Sequence, residues 1–340
     1  MKKIFKYLWQ ILLPAFLVIF IVFIWRSQNR EGQKIIGVIP QYESTEFCRI
    51  REGLEKQAQE SGYTLLVSVP SEMTVQAQRN AMADLISQGA ACILIEAAAE
   101  GGFQEILDEC SQKGVPVLAY NSRVNSSDIF AEVLPYPVES AADSLLAAMD
   151  GSVSESGQFG VLSTTSQDYL REARTRQMLN ILETGAYPSL RFVGSGFVKE
   201  DSSLIAEKAL HLSEKYPDLE YLLCYSTAEA AGMIDYINSN HASWKLICEA
   251  SPEDLGDSFP AETVVLTYDY QKYGCFLMDL AVFAIGEQAV PQVGDVFRDS
   301  SGNSYIFAPK WGYDDMPSVA EYSTLSMQNV PDIVVCGRDD

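Results

Sequence analysis

The residues with chemistry to offer are of types that hold a ligand rather than transform one. The chain has 2 histidines. His211 lies in an ALHLSEK stretch and His241 in an Asn/Ser stretch, and neither has a Cys or acidic partner in a catalytic or metal-ligating pattern. The 7 cysteines include no C-x-x-C and no metal spacing, and several sit in apolar runs such as ACILIE and YLLCYS, so they read as small buried hydrophobes. There is no G-x-G-x-x-G, no Walker loop and no G-x-S-x-G elbow; Gly194-Ser195-Gly196 lies inside a strand-like run and lacks the spacing. A glycosidase needs only two carboxylates. None of the 46 acidic residues is singled out by its setting, so an extracellular hydrolase stays a remote alternative and no enzyme, metal or cofactor is expected.

What remains is a set of neutral polar and aromatic side chains. Gln41, Tyr42 and Phe47 follow one strand-like run, and Asn121, Ser122 and Arg123 follow another. Further along come Thr164, Thr165, Gln167 and Asp168, then Tyr225, Ser226 and Thr227, then Tyr268 and Asp269. Amides, hydroxyls and carboxylates bridge adjacent ligand hydroxyls, and aromatic faces cover the C–H face of a ring. Solvation alone explains any one such loop, since Asn-Ser is an ordinary turn. The set carries weight because its members fall at equivalent places in two halves of the chain.

Those places follow from the hydrophobic rhythm. Apolar β-type runs recur at 35–40, 64–69, 91–96 and 115–120, separated by helical spacings such as Phe47, Ile50, Leu54 and Ala58, closed by Gly62. The rhythm restarts with strands at 157–164, 190–197, 219–226 and 245–250 and helices at 168–184, 202–214 and 228–238. A strand at 262–269 and a helix at 272–286 follow, then a β-hairpin around Ser-Gly-Asn, and from Lys310 on the texture is irregular. Continuous apolar strands alternating with helices predict an α/β fold with parallel sheets covered on both faces. The restart predicts two Rossmann-like lobes, and ligands of such sheets bind at the carboxyl ends of the strands.

The segment Tyr7 to Trp25 (YLWQILLPAFLVIFIVFIW) carries no charge. As a helix it would rise about 28 Å, close to a bilayer's hydrocarbon thickness, with Trp9 and Trp25 near the interfaces. It reads as an uncleaved transmembrane anchor. A cleaved signal peptide is the alternative, but the run ends in Ile24-Trp25-Arg26 without small residues, and the first cysteine is Cys48. Lys2, Lys3 and Lys6 precede it, Arg26 and Arg30 follow, and the balance favours residues 1–6 inside the cell membrane and the bulk of the chain outside. Residues 26–34 form a polar stalk. The chain's net charge is −22 although this N-terminal region is basic, so the remainder is strongly acidic, which argues against nucleic-acid binding.

Four stretches resemble the type I periplasmic sugar-binding proteins, nearest the rhamnose- and autoinducer-2-binding branch: IIGVIPQ, VPVLAYNSR, EDSSLIAEKALHLSEKYPDLEYLLCYSTAEAAGMIDYI and LTYDYQKYG. The resemblance is diffuse and spans about residues 35–335. It implies a three-strand hinge with crossings near 122–134, 252–268 and 288–300. The implied first lobe is 35–128 with 268–288, the second is 129–267 with 289–330, and 331–340 is a tail. It places Gln41 where that branch has a ligand-binding Lys, Asn121 where it has an Asp, and Thr165–Asp168 where an acidic-amide pair sits. Tyr225 and Thr227 match backbone-contact positions, and Arg171 and Arg174 are further candidates, with a surface ion pair as their plainer reading. The loss of charged positions implies a neutral sugar or polyol rather than autoinducer-2 itself. The implied partners are an ABC permease with its ATPase or, given the tether, a histidine kinase to which the protein reports ligand.

Overall fold

The structure is a computed structural model. It describes residues 34–153, 156–163, 169–197, 204–255, 260, 263–287, 290–292, 294–306, 308–309, 323–326 and 332–336. The apolar segment at 7–25 and residues 164–168 lie outside these residues. Among the described residues, no helix is long and apolar enough to cross a membrane.

The first half runs β1 (Lys34–Ile39), α1 (Thr45–Ser61), β2 (Tyr63–Val67), α2 (Val75–Ser87), β3 (Ala90–Ile95), α3 (Gln104–Gln112), β4 (Val117–Tyr120) and β5 (Ile129–Leu134). The second runs α4 (Val138–Asp150), β6 (Gly157–Ser163), α5 (Tyr169–Glu183), β7 (Leu190–Phe197), α6 (Ile205–Lys215), β8 (Leu219–Cys224), α7 (Thr227–Asn240), β9 (Lys245–Glu249) and β10 (Thr263–Thr267). The chain ends with α8 (Tyr270–Gly286), the hairpin β11 (Val296–Arg298) and β12 (Ser304–Ile306), then β13 (Ala308–Pro309), β14 (Ser323–Ser326) and β15 (Asp332–Cys336). The restart at residue 157 is visible as a restart of topology. The first sheet has the order β13-β14-β5-β4-β3-β1-β2 and the second β15-β10-β9-β8-β6-β7. Apart from their outer additions, both repeat one doubly wound order, with the second strand outside the first and the third on its other side.

Local chemistry sets the helix starts on the cleft side. Ser44 accepts from the Phe47 N–H at 3.0 Å to open α1, and Ser226 accepts from the Glu229 N–H at 3.2 Å to open α7. Asp269 accepts from the Lys272 N–H at 2.8 Å to open α8. Gly62 ends α1 at φ 72°, where a Cβ would be strained.

Among the described residues the chain passes between the two larger sheets three times: after Leu134, after Thr267, and between Ser326 and Asp332. These positions correct the expected lobe boundaries. β5, expected in the second lobe, pairs with β4 and β14 inside the first sheet. Its central Glu132 breaks the apolar run, yet it is buried and accepts the Val124 N–H at 3.1 Å. The hairpin also belongs to the first lobe. Phe297 and Tyr305 pack on Phe276 of α8, at ring centroids 5.6 and 4.6 Å away. The stretch beyond Lys310, expected to be irregular, supplies β14 to the first sheet and β15 antiparallel to β10 in the second.

Helix α8 returns from the second lobe to pack along α1. Gly53 and Gly274 make that crossing possible: a Cβ on Gly53 would overlap the Gln271 carbonyl, and one on Gly274 would overlap that of Ile50. Both obstacles are backbone and cannot swing aside. Gly274→Ala is therefore expected to destabilise the first lobe by about 2–3 kcal/mol through overpacking, read as a lowered midpoint in chemical unfolding, while Gly286→Ala, with open space around it, leaves the midpoint near the parent's.

Candidate ligand-binding site

The strand order reverses beside β1 and β3 in the first sheet, and beside β6 and β8 in the second. Loops at such points diverge and leave a crevice at the carboxyl ends of the strands. In the first lobe Glu96, just past β3, anchors the rim. It accepts the Gln41 N–H and the Asn121 side-chain amide, both at 3.3 Å. Asn121 adopts φ 50°, a left-handed conformation that Asn tolerates better than most residues, and its Oδ1 is buried without a hydrogen-bond partner.

The second lobe supplies charge already paired. Arg171 donates to Glu229 at 2.9 Å, and Glu229 in turn accepts the Tyr225 N–H at 2.9 Å. Arg174, only 2% exposed, pairs with Glu249 and donates to the Tyr136 hydroxyl. Its guanidinium lies 4.8 Å from the Tyr225 ring centroid and 5.5 Å from that of Tyr136. Tyr136 also donates to Glu249 at 2.9 Å. One buried node thus ties α5 to the end of β9 and to the first crossing between the lobes.

Aromatic rings fill that crossing. Tyr268, on the second crossing, meets Tyr136 edge-on at 5.5 Å and contacts Tyr270 at 4.1 Å and Tyr273 at 5.8 Å. Burial pushes the phenols of Tyr120, Tyr268, Tyr270 and Tyr273 well above their ordinary range, so all four stay un-ionised. The Tyr120 and Tyr270 hydroxyls and Thr227 Oγ1 are buried without hydrogen-bond partners. A cavity of about 430 Å³ opens at this junction, lined by Arg49, Ser251, Glu253, Thr267, Tyr268 and Tyr270.

The residues singled out in the sequence have different fates. Asn121, Tyr225 and Tyr268 follow strand ends and Thr227 opens α7; Tyr268 lines the cavity, whereas Tyr225 is buried in the second core with its hydroxyl 2.7 Å from that of Thr175. Tyr42 is exposed. Gln41 is buried and spends its amide on the Ala97 carbonyl at 2.8 Å. Ser122 is also buried, accepting the Ala97 N–H at 2.7 Å. Arg123 is half-buried, and its Nε has no hydrogen-bond partner. Asp269 is the cap of α8. Phe47 is corrected outright: it is 2% exposed and part of the first core, because α1 turns that face toward the sheet. The surface ion pair considered for Arg171 and Arg174 is corrected too, since both pairs are buried; exposed Glu172 pairs with Arg176 instead. Thr165, Gln167 and Asp168 lie outside the described residues. Sequence reasoning missed Glu96 and Glu249, whose signal was an acid ending an apolar strand, and missed Glu46, Tyr136 and Tyr270, which carry no such mark.

The sequence pattern of the periplasmic binding protein domain matches residues 36–250. The chain belongs to that family. It is a binding protein of the type I class and not an enzyme. A curated relative, the ABC transporter periplasmic-binding protein YphF of Escherichia coli K12, is 19% identical over 232 residues, covering 65% of this chain and 69% of that one. Among solved structures, an ABC transporter solute-binding protein from Clostridium phytofermentas with bound L-rhamnose superposes with a TM-score of 0.76 at 16% identity, covering 90% of this chain and 96% of that one. LsrB from Clostridium saccharobutylicum in complex with AI-2 gives a TM-score of 0.73 at 14% identity, with 88% and 97% covered. The likeness shows that this binding protein shares their two-lobed fold.

The Arg174–Glu249 node generates a stability prediction. Glu249→Leu or Arg174→Met alone leaves a buried charge uncompensated and is expected to cost about 3–5 kcal/mol in urea unfolding. The double replacement is expected to cost less than either single change. Simple additivity of the two losses would show that the groups are not coupled.

Proposed function

We propose that the chain captures an uncharged polyhydroxy ligand, a sugar or polyol, between its lobes outside the cell and presents it to an ABC-type importer in the membrane. The observation that supports this most is the polarity of the junction. The arginines on the second-lobe side are matched by Glu229 and Glu249, the phenols are un-ionised, and Asn121, Thr227 and Tyr270 offer buried hydrogen-bonding atoms. A ligand hydroxyl both donates and accepts, so it satisfies such atoms without bringing a charge that needs its own partner. Among the described residues the guanidiniums of Arg171 and Arg174 are already paired, which leaves half-buried Arg123 to meet a ligand oxygen, and Glu96 and Glu46 add negative potential that disfavours an anion. The bound ligands of structurally similar proteins, L-rhamnose and D-arabinose, are of the proposed class.

The apolar segment at 7–25 favours a second reading, a tethered sensor that reports the ligand to a histidine kinase. An importer subunit has to meet its permease, whereas a sensor gains from permanent residence beside its kinase, and an uncleaved anchor suits the second need. Affinity capture of the full chain from solubilised membranes separates them: recovery of permease and ATPase without a kinase supports transport, and recovery of a kinase supports sensing.

A thermal-shift screen of pentoses, hexoses, deoxyhexoses and polyols tests the ligand class. A ligand at about 100 times its dissociation constant should add about 2.7 kcal/mol to stability. Tyr268→Ala and Asn121→Gly are expected to abolish the shift; glycine keeps the positive φ at 121 and removes only the side chain. Full retention of affinity in both variants would place the site elsewhere.

A further inference from the structure

Two side chains near the start of α1 reach across to the other lobe. Glu46 Oε1 accepts the Thr227 N–H at 2.9 Å, and Arg49 Nη2 meets Asp254 Oδ1 at 2.9 Å and Glu253 Oε2 at 3.3 Å. Residues three apart on a helix share a face, so one edge of α1 carries both contacts. Thr227 is the first residue of α7, where the N–H has no intrahelical acceptor and the helix dipole favours a carboxylate. Asp254 ends the single turn Pro252–Asp254 that follows β9. Both partner points therefore belong to the second lobe, the Thr227 N–H as donor and the Asp254 carboxylate as acceptor, and both side chains belong to the first. The two contacts also differ in kind, one a charge-assisted bond to backbone and the other a half-exposed ion pair that is modest by itself.

We propose that Glu46 and Arg49 form a two-point latch that holds the lobes closed and raises the protein's affinity for ligand by populating the closed state. They are positioning residues: their partners are the α7 N-terminus and the 252–254 turn. A binding protein whose closed state is already well populated loses little affinity to closure, whereas one that spends most of its time open has its affinity reduced by the closed fraction. The affinity part of this proposal rests on the ligand reading above; the closure part does not. The latch also predicts a kinetic signature, since contacts that only keep the lobes together act on ligand escape more than on ligand entry.

The test uses the full chain in detergent micelles, with nitroxide labels at Glu72→Cys and Glu183→Cys, exposed positions on opposite lobes, in a Cys48→Ser background. Pulsed dipolar spectroscopy reads the distance between labels. The parent is expected to show one dominant short distance without added ligand. Glu46→Gln with Arg49→Gln shifts the population to longer distances, and the charge exchange Arg49→Asp with Asp254→Arg brings it back toward the parent. With whichever neutral sugar stabilises the parent, the double glutamine variant is expected to bind about tenfold more weakly, mainly through faster dissociation. A double variant with the parent's distance distribution overturns the latch, and so does a charge exchange that stays as open as the double variant. If no sugar binds the parent, the ligand reading fails, while the distances still judge the latch.

Discussion

A guanidinium taken out of water must be paired, and the second lobe is arranged around that requirement at Arg174. The side chain leaves α5, pairs with Glu249 at the end of β9, and lies between the rings of Tyr136 and Tyr225. Removing any one partner would leave a buried charge or an unsatisfied hydroxyl, so the group acts as a unit. Arg171 repeats the logic with Glu229, whose second oxygen holds the Tyr225 N–H. Charge on α5 is thereby used to fix loops rather than left free toward the junction.

The same node joins the lobes. Tyr136 belongs to the first crossing and Tyr268 to the second, and their edge-on contact makes the crossings one aromatic unit. From there α8 carries the chain back to the first lobe, where the Gly53–Gly274 contact lets it lie against α1 backbone to backbone. Helix α1 in turn bears Glu46 and Arg49. Hinge, returning helix and cross-lobe contacts are thus mechanically continuous, and a change of lobe angle has to be absorbed at few residues.

Much of this was legible in the chain. Strand and helix alternation gave the α/β class and its restart near residue 157, because buried parallel strands are apolar without interruption. The strand 190–197 and the hairpin around Ser301–Asn303 stand where the pattern placed them. Lobe membership was less legible. The crossing implied near 122–134 put β5 in the second lobe, although it pairs with β4 and β14 in the first sheet, and a contact far away in sequence, that of Phe297 and Tyr305 with α8, assigns the hairpin to the first lobe. At the site, polarity at a strand end marked Asn121, whose Oδ1 is left without a partner, and Tyr268, which lines the cavity, but did not distinguish them from Ser122 and Asp269, whose polar atoms serve the backbone. A capping or loop-closing role depends on where a neighbouring N–H points, which periodicity does not encode.

The central claim is that the junction takes up an uncharged polyhydroxy molecule and leaves it intact. Isothermal titration calorimetry of the full chain with neutral aldoses, their polyols and the corresponding aldonic acids addresses it directly, with the ligand recovered afterwards for chemical identification. The account predicts saturable heat at one ligand per chain for a neutral member, no heat from its carboxylate counterpart, and an unaltered ligand at the end. Tight binding of the carboxylate, or conversion of the ligand to product, would contradict it.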